Sequence, residues 1–335
     1  MGNAPIFLTA EQCRQVLTPD DVITEIERVL TWDAAGSIHW PTPRSLNIAP
    51  DRWGNDYHMK ACVLEEIPVA GLRLVSHPLD ESSPVCTRLI LLIDPVTTLP
   101  LALVDESWNY VQRTVASIVL AVRHVANPAS ATLAVVGAGR MARTSIDYYR
   151  RFFDLQEVRI ASRSADRRNA LVADVRSAQA LEARSCDSIE EAVGGASLIL
   201  TATSSTAAVL DESWINDGAV VASVGTAEPG REFARKADLF LVDSREQLRK
   251  ELIAEFGEEA PEWITATVGE VVSGQHPGRT DPSQRALIIT EGMASQDIAL
   301  AYLAYRRSSE QGIGLPLPVA AIESGAAIPA ISVPS

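Results

Sequence analysis

The feature that most narrows what this chain can fold into is a glycine-rich turn near its middle. Leu133 to Val136 is a short apolar run, Gly137-Ala138-Gly139-Arg140-Met141-Ala142 comes directly after it, and a helical pattern then continues to about Phe153. A strand that feeds a helix through G-x-G-x-x-A is the fingerprint of a dinucleotide-binding βαβ unit. Each small residue has its own task. Gly137 permits the tight turn, Gly139 lets the backbone approach a pyrophosphate, and Ala142 lets helix pack on strand. The pyrophosphate then rests on the free amides of the helix N-terminus.

The segments C-terminal to the turn give the motif its force. Strand-like runs at Glu157 to Ala161, Leu198 to Ala202, Ala219 to Val224, Leu239 to Val242 and Ala286 to Ile289 alternate with helical stretches, among them Ala165 to Ala183. Such alternation predicts an α/β fold with a Rossmann-type, doubly wound parallel sheet. The N-terminal part reads differently. Helical spacing from Thr9 to Ala35 gives way to short β-like runs between His39 and Asp94, and then to a helix from Asp105 to Ala126 with one apolar stripe. A chain of 335 residues exceeds what one hydrophobic core usually supports. Two domains sharing an interface are therefore expected, one of them the dinucleotide-binding domain that the glycine turn opens. The last helix should run from Met293 to about Gln311. The Pro-rich tail beyond it should lie against the first domain or a partner subunit.

A formal net charge of −14 with scattered Lys and Arg excludes broad binding to nucleic acid or to an anionic membrane surface. Four widely spaced cysteines show no zinc-site spacing, so no metal is expected. The N-terminus lacks the pattern of a signal peptide, and no apolar run approaches the roughly 20 residues of a membrane span. These readings predict a cytoplasmic protein.

Cofactor choice is read where the second strand ends. NAD enzymes carry an acid there; here the strand runs into Ser162-Arg163. Arg163 suits a 2′-phosphate, so NADP(H) is favoured and NAD(H) is the alternative. Thr201, Ala202, Thr203 and Ser204 at one strand end, and Val224, Gly225 and Thr226 at the next, fall on the sheet edge where cofactor and substrate meet.

Several motifs in order, Ala70-Gly71-Leu72-Arg73-Leu74-Val75-Ser76, Gln112-Arg113-Thr114, Gly137-Ala138-Gly139, Thr201-Ala202-Thr203-Ser204-Ser205, Gly269-Glu270, Pro277-Gly278-Arg279-Thr280 and Gly292-Met293-Ala294 with Asp297, resemble the ornithine cyclodeaminase/mu-crystallin family over nearly the whole chain. The resemblance implies a dinucleotide-binding Rossmann domain over 126–311, a discontinuous α+β substrate-binding and dimerisation domain over 1–125 and 312–335, and a homodimer that moves a hydride between nicotinamide and the α-carbon of an amino or imino acid. It implies that Arg44, Arg73 and Arg113 hold the α-carboxylate, which suits the bidentate geometry of guanidinium. Arg73 stands where the family usually has lysine, and arginine does not readily give up its proton. Lys60 and His58 are candidates for that proton transfer, and Arg88 for a second carboxylate. The family's cyclodeaminases carry an aspartate after Gly225, where this chain has Ala227 and then Glu228. The stretch from Gly292 to Ile298 looks most like the opine-type dehydrogenases of 2,3-diaminopropionate biosynthesis. The expected activity is therefore imine reduction or amino-acid dehydrogenation. The alternatives are an ornithine cyclodeaminase-type lyase that recycles NAD and a non-catalytic binding protein for NADPH and a small ligand.

Overall fold

The computed structural model describes residues 4–318 other than 51, 53, 54, 79–85 and 180. The described residues form two eight-stranded sheets. One is wholly parallel, in the order Glu182–Cys186, Glu157–Ala161, Thr132–Val136, Leu198–Thr201, Val220–Ser223, Ala286–Ile289, Leu239–Val242 and Ala266–Thr267. The four strands from Leu198–Thr201 to Leu239–Val242 in that order are buried at every residue. That is why they read as unbroken apolar runs: helices cover both faces of a parallel sheet. The chain leaves Thr132–Val136 towards one edge and later returns to its other side, so strand order reverses beside the glycine turn. In such sheets a crevice opens at that reversal.

The helix expected to reach Ala183 instead stops at Gln179, and Glu182–Cys186 is the edge strand. Only Ala183 and Cys186 of that strand are buried, so an edge position needs little apolar periodicity. Its Glu, Ala and Arg content is what a helix also favours.

The other sheet is antiparallel except where Ile6–Leu8 runs parallel to Pro100–Asp105. Its long strands alternate strictly. Lys60, Cys62 and Leu64, Gly71, Arg73 and Val75, Ile90 and Leu92, and Ala102 and Val104 are buried on one face. That face packs on the helix Ala294–Glu310, so closely that a Cβ on Gly71 would come within 2.6 Å of Ile298. The helix Asn109–Val125, with its apolar stripe buried, packs on the parallel sheet at Val220–Ser223 and Ala286–Ile289 and against the helices Pro19–Ala35 and Ala294–Glu310. The expected tail contact is real at its start, where Leu315–Pro316 pairs antiparallel with Ile6–Leu8; residues 319–335 lie outside the described residues. No helix among the described residues is long and apolar enough to cross a membrane.

Candidate active site

The glycine turn opens onto a cleft of about 720 Å³ at the strand reversal. Gly137 has φ of +120°, and a Cβ there would sit 2.2 Å from the carbonyl oxygen of Ala202. No side chain other than hydrogen fits. Gly139 differs: nothing lies within 4 Å of where its Cβ would point, and the helix Arg140–Tyr149 that it opens has no side-chain cap. Open space beside unpaired first-turn amides is the cradle a pyrophosphate needs. Ala142 is fully buried against the sheet, as the motif requires.

Gly137, Ala138, Gly139, Arg140, Met141, Ser162, Arg163, Ala202, Thr203 and Ser204 all line this cleft, joined by Arg167 from the next helix. Arg163 is exposed and donates to the Ser204 hydroxyl at 3.3 Å. Thr201, Val224, Gly225 and Thr226, also expected at the cofactor, are not among the residues that line it. The Thr201 hydroxyl is buried against Ser223 and Glu228. The residues present fit a pyridine dinucleotide: the open amides at Gly139 would suit its pyrophosphate, and Arg140, Arg163 and Arg167 in the lining would offer positive charge to its phosphates.

Beyond the cleft lies a buried cationic cluster. In the antiparallel sheet Lys60 stands directly opposite Arg73 in register. Arg73 makes a bidentate pair with the fully buried Glu106, with Nε 2.8 Å and Nη2 2.6 Å from its carboxylate, and Nε lies 3.3 Å from Asp297. Arg113 is 2 % exposed and its Nε meets Asp297 at 2.5 Å. Tyr110 lies under all three arginines of this region: the guanidinium carbons of Arg88, Arg113 and Arg73 are 4.0, 5.1 and 5.8 Å from its ring centre. Arg88 and Tyr110 also line the dinucleotide cleft, so the two sites adjoin.

The peptide at Gly292 connects these groups. Its φ is +89°, and a Cβ there would fall 1.6 Å from Nη1 of Arg113. Its N–H donates to the buried Asp243. Its carbonyl accepts from Lys60 Nζ at 3.3 Å and Gln247 Nε2 at 2.9 Å. Lys60 Nζ is 3.9 Å from Glu291. Burial pulls the Lys60 ammonium below the usual lysine range, and the nearby Arg113 and Arg73 add to this against the opposing pull of Glu291 and Asp297. Burial pushes the Asp243 carboxyl up to about 6. Glu106 is also raised, by burial first and then by the negative Asp297, against the pull of Arg73.

A smaller cavity of about 350 Å³ takes in Arg44, His58 and Lys60 together with Glu246, Lys250 and Glu291. Arg44 pairs with Glu246 at 3.0 Å and stacks 4.5 Å over Trp40. His58 is paired with Asp56 on its own strand. The five expected substrate residues thus form two groups: Arg113 and Lys60 meet at Gly292, with Arg73 opposite Lys60 and sharing Asp297 with Arg113, while Arg44 and His58 hold the outer cavity, which Lys60 reaches from within.

Sequence reasoning missed Glu106, Tyr110, Arg167, Asp243 and the role of Glu228. One signal was available: an arginine on an apolar helix stripe needs a buried partner, and Asp297 at the start of another apolar helix is such a partner.

The ornithine cyclodeaminase/mu-crystallin family profile matches residues 4–312. The chain is 26 % identical to alanine dehydrogenase of Archaeoglobus fulgidus over 92 % of this chain and 97 % of that one. It is 28 % identical to N-((2S)-2-amino-2-carboxyethyl)-L-glutamate dehydrogenase of Staphylococcus aureus, over 68 % of this chain and 70 % of that one. Among solved structures, the Δ1-pyrroline-2-carboxylate reductase of Thermococcus litoralis, in complex with NADH and L-proline, superposes with a TM-score of 0.86 at 24 % identity, covering 93 % of this chain and 100 % of that one. Glycine turn, buried arginine cluster and near-full-length match agree: the chain belongs to the ornithine cyclodeaminase/mu-crystallin family.

Proposed function

We propose that this protein is an NAD(P)-dependent oxidoreductase of the carbon–nitrogen bond α to a carboxylate, acting as an imine reductase or an opine-type amino-acid dehydrogenase. The observation that carries the reading is the state of Arg113. Its Nε is held by Asp297, while Nη1 and Nη2 have no hydrogen-bond partner among the described residues and lie beside Gly292 and Tyr110. A guanidinium anchored at Nε with its outer fork unpaired is built to take a carboxylate in bidentate fashion. Arg73 supports the same anion from the antiparallel sheet, and Arg44 closes the outer side.

Bound on the glycine turn, the dinucleotide supplies or accepts a hydride at its nicotinamide ring. The protein positions the substrate and handles the proton. Oxidation of an amine to an imine also removes a proton from nitrogen, and the neutral amine of Lys60 takes it; in the reverse direction the ammonium returns it. Lys60 suits this better than His58. It is buried beside the arginines with its ammonium disfavoured, whereas His58 is paired with Asp56 away from them. The ammonium that the family usually carries at position 73 is thus moved one strand across, to the residue opposite.

NADP(H) is the favoured cofactor because Arg163 and Arg167 both reach the cleft wall beside Ser162. The nearby Asp187 is paired with Arg168 at 3.0 Å. Ring closure by a cyclodeaminase is disfavoured because Ala227 brings no carboxylate, and that of Glu228 is turned into the protein.

We further propose a homodimer built on the outer face of the antiparallel sheet. Met59, Leu74 and Leu89 lie side by side there, as do Ala61, Leu72, Leu91 and Leu103, with Leu46 beside Met59. A sheet face turned to water is normally polar, so an apolar one of this extent is covered in solution. For the domain division we propose 1–125 with 312–335 as the first unit and 126–311 as the dinucleotide-binding one, with the helix Ala294–Glu310 of the second packed on the antiparallel sheet of the first. The site of action is expected to be cytoplasmic.

The test is nicotinamide oxidation against a panel of 2-oxo acids paired with amines, plus cyclic imines. NADPH consumption with at least one substrate is expected. No turnover with any of them, alongside ammonia release from ornithine, would overturn the reading.

A further inference from the structure

Glu228 is a carboxylate that the hydride and proton transfers do not use. Its side chain is completely buried between the ends of two neighbouring parallel strands. Oε1 accepts from the backbone N–H of Thr203 at 2.7 Å and from the Thr203 hydroxyl at 2.5 Å. Oε2 accepts from the backbone N–H of Gly225 at 2.9 Å and lies 3.2 Å from the hydroxyls of Thr201 and Ser223. The backbone carbonyl of Glu228 accepts from the amides of Val209 and Leu210. No Lys, Arg or His pairs with this carboxylate among the described residues.

This geometry restricts both the residue type and the field it creates. Each oxygen faces a backbone N–H, and a backbone N–H can only donate, so the site requires a group that accepts on both sides. Glutamine would turn its NH2 towards one of the two amides. The negative charge also has only neutral dipoles around it. It sits directly behind Ala202 and Thr203, which line the cleft, in an interior where charges are weakly screened. The strand ends that hold it lie on the opposite side of Thr132–Val136 from the strand that carries Arg163, so a dinucleotide with its 2′-phosphate at Arg163 has its nicotinamide half on this side.

We propose that Glu228 is the positioning residue of the nicotinamide end of the cleft, and that its buried charge biases the cleft towards the oxidised nucleotide. This rests on the proposal that the cleft holds a pyridine dinucleotide. The oxidised ring carries one more positive charge than the reduced ring, so a fixed negative charge behind the wall stabilises it selectively. On the enzyme, that bias favours reduction of the imine, because it lowers the energy of the nucleotide formed.

The test compares dissociation constants of NADP+ and NADPH, by calorimetry and fluorescence, for the wild type, E228Q and E228D. E228Q is expected to weaken NADP+ about tenfold more than NADPH, on the scale of one charge acting across a partly buried site. E228D keeps the charge and is expected to weaken both forms by one factor, leaving their ratio within about twofold of the wild type. Equal weakening of the two forms by E228Q would reduce Glu228 to a structural brace and overturn the proposal. Should E228Q fail to fold, a changed ratio in E228D would overturn it and an unchanged ratio would support it. A wild type that binds neither nucleotide fails the dinucleotide proposal instead.

Discussion

The contact between Gly292 and Arg113 permits a quantitative test of how the site is assembled. In Gly292→Ala the new Cβ would stand 1.6 Å from Nη1 of Arg113 at a φ of +89°. The left-handed backbone alone costs an L-residue about 1–2 kcal/mol. The larger effect is displacement of the guanidinium, which leaves Asp297 buried without its 2.5 Å partner. Breaking one side of a buried pair costs about 3–5 kcal/mol. Gly292→Ala should therefore destabilise by about 4–7 kcal/mol. Arg113→Ala removes the same ion pair directly, at about 3–5 kcal/mol, without the backbone strain. If both act through one contact, the double variant loses that pair once, not twice. Its stability should match that of Gly292→Ala alone, with a coupling of about 3–5 kcal/mol between the two sites. Urea unfolding of the four proteins, with a saturating nucleotide to keep the weakest folded, measures the cycle. Stabilities that add to within about 0.5 kcal/mol would refute the reasoning, because independent sites behave that way.

The same site geometry sets the outcome of further perturbations. Because Lys60 loses its proton below the free-lysine value of about 10.4, the rate of amine oxidation should rise with pH through a transition below that value, and imine reduction should fall through it. Lys60→Arg holds its proton at all accessible pH, so it should abolish that transition and lower kcat by about 10²–10⁴-fold; an unchanged profile would assign the proton to another group. Arg163→Ala should weaken NADPH at least about tenfold and NADH much less, since it removes a charge-assisted contact to the 2′-phosphate alone; equal losses in titrations of both would count against NADP(H) preference. Leu91→Lys, in the middle of the outer sheet face, should yield monomers by light scattering, since it buries an unpaired charge in the interface; an intact dimer would place the interface elsewhere.

The parallel sheet was largely legible because its central strands are buried on both faces and therefore appear as apolar runs with the glycine turn between strand and helix. The family resemblance named the arginines. What stayed hidden is of another kind. The edge strand Glu182–Cys186 is too polar to stand out from the helix before it. Strand order, with Ala286–Ile289 inserted between Val220–Ser223 and Leu239–Val242, is set by packing of distant segments and leaves no local trace. The partners of the arginines come from far along the chain: Glu106 lies 33 residues from Arg73, and Asp297 lies 184 from Arg113. Glu228 shows why neighbouring residues mislead. In sequence it is only the residue after Ala227, next to where the family's cyclodeaminases carry an aspartate, while in the structure its two oxygens are drawn inward by amides that only the folded loops bring together.

The central claim is that a hydride passes between a dinucleotide seated on the Gly137–Ala142 turn and a carbon held beside Arg113. It is tested most directly by supplying NADPH deuterated at the transferable position of the nicotinamide, with the panel of imines and of 2-oxo acids paired with amines, and weighing the products by mass spectrometry. One deuterium on the α-carbon of an amino-acid product, lost in Arg113→Ala while nucleotide affinity is retained, is the predicted result. Bound nucleotide with no deuterium in any product would contradict the account.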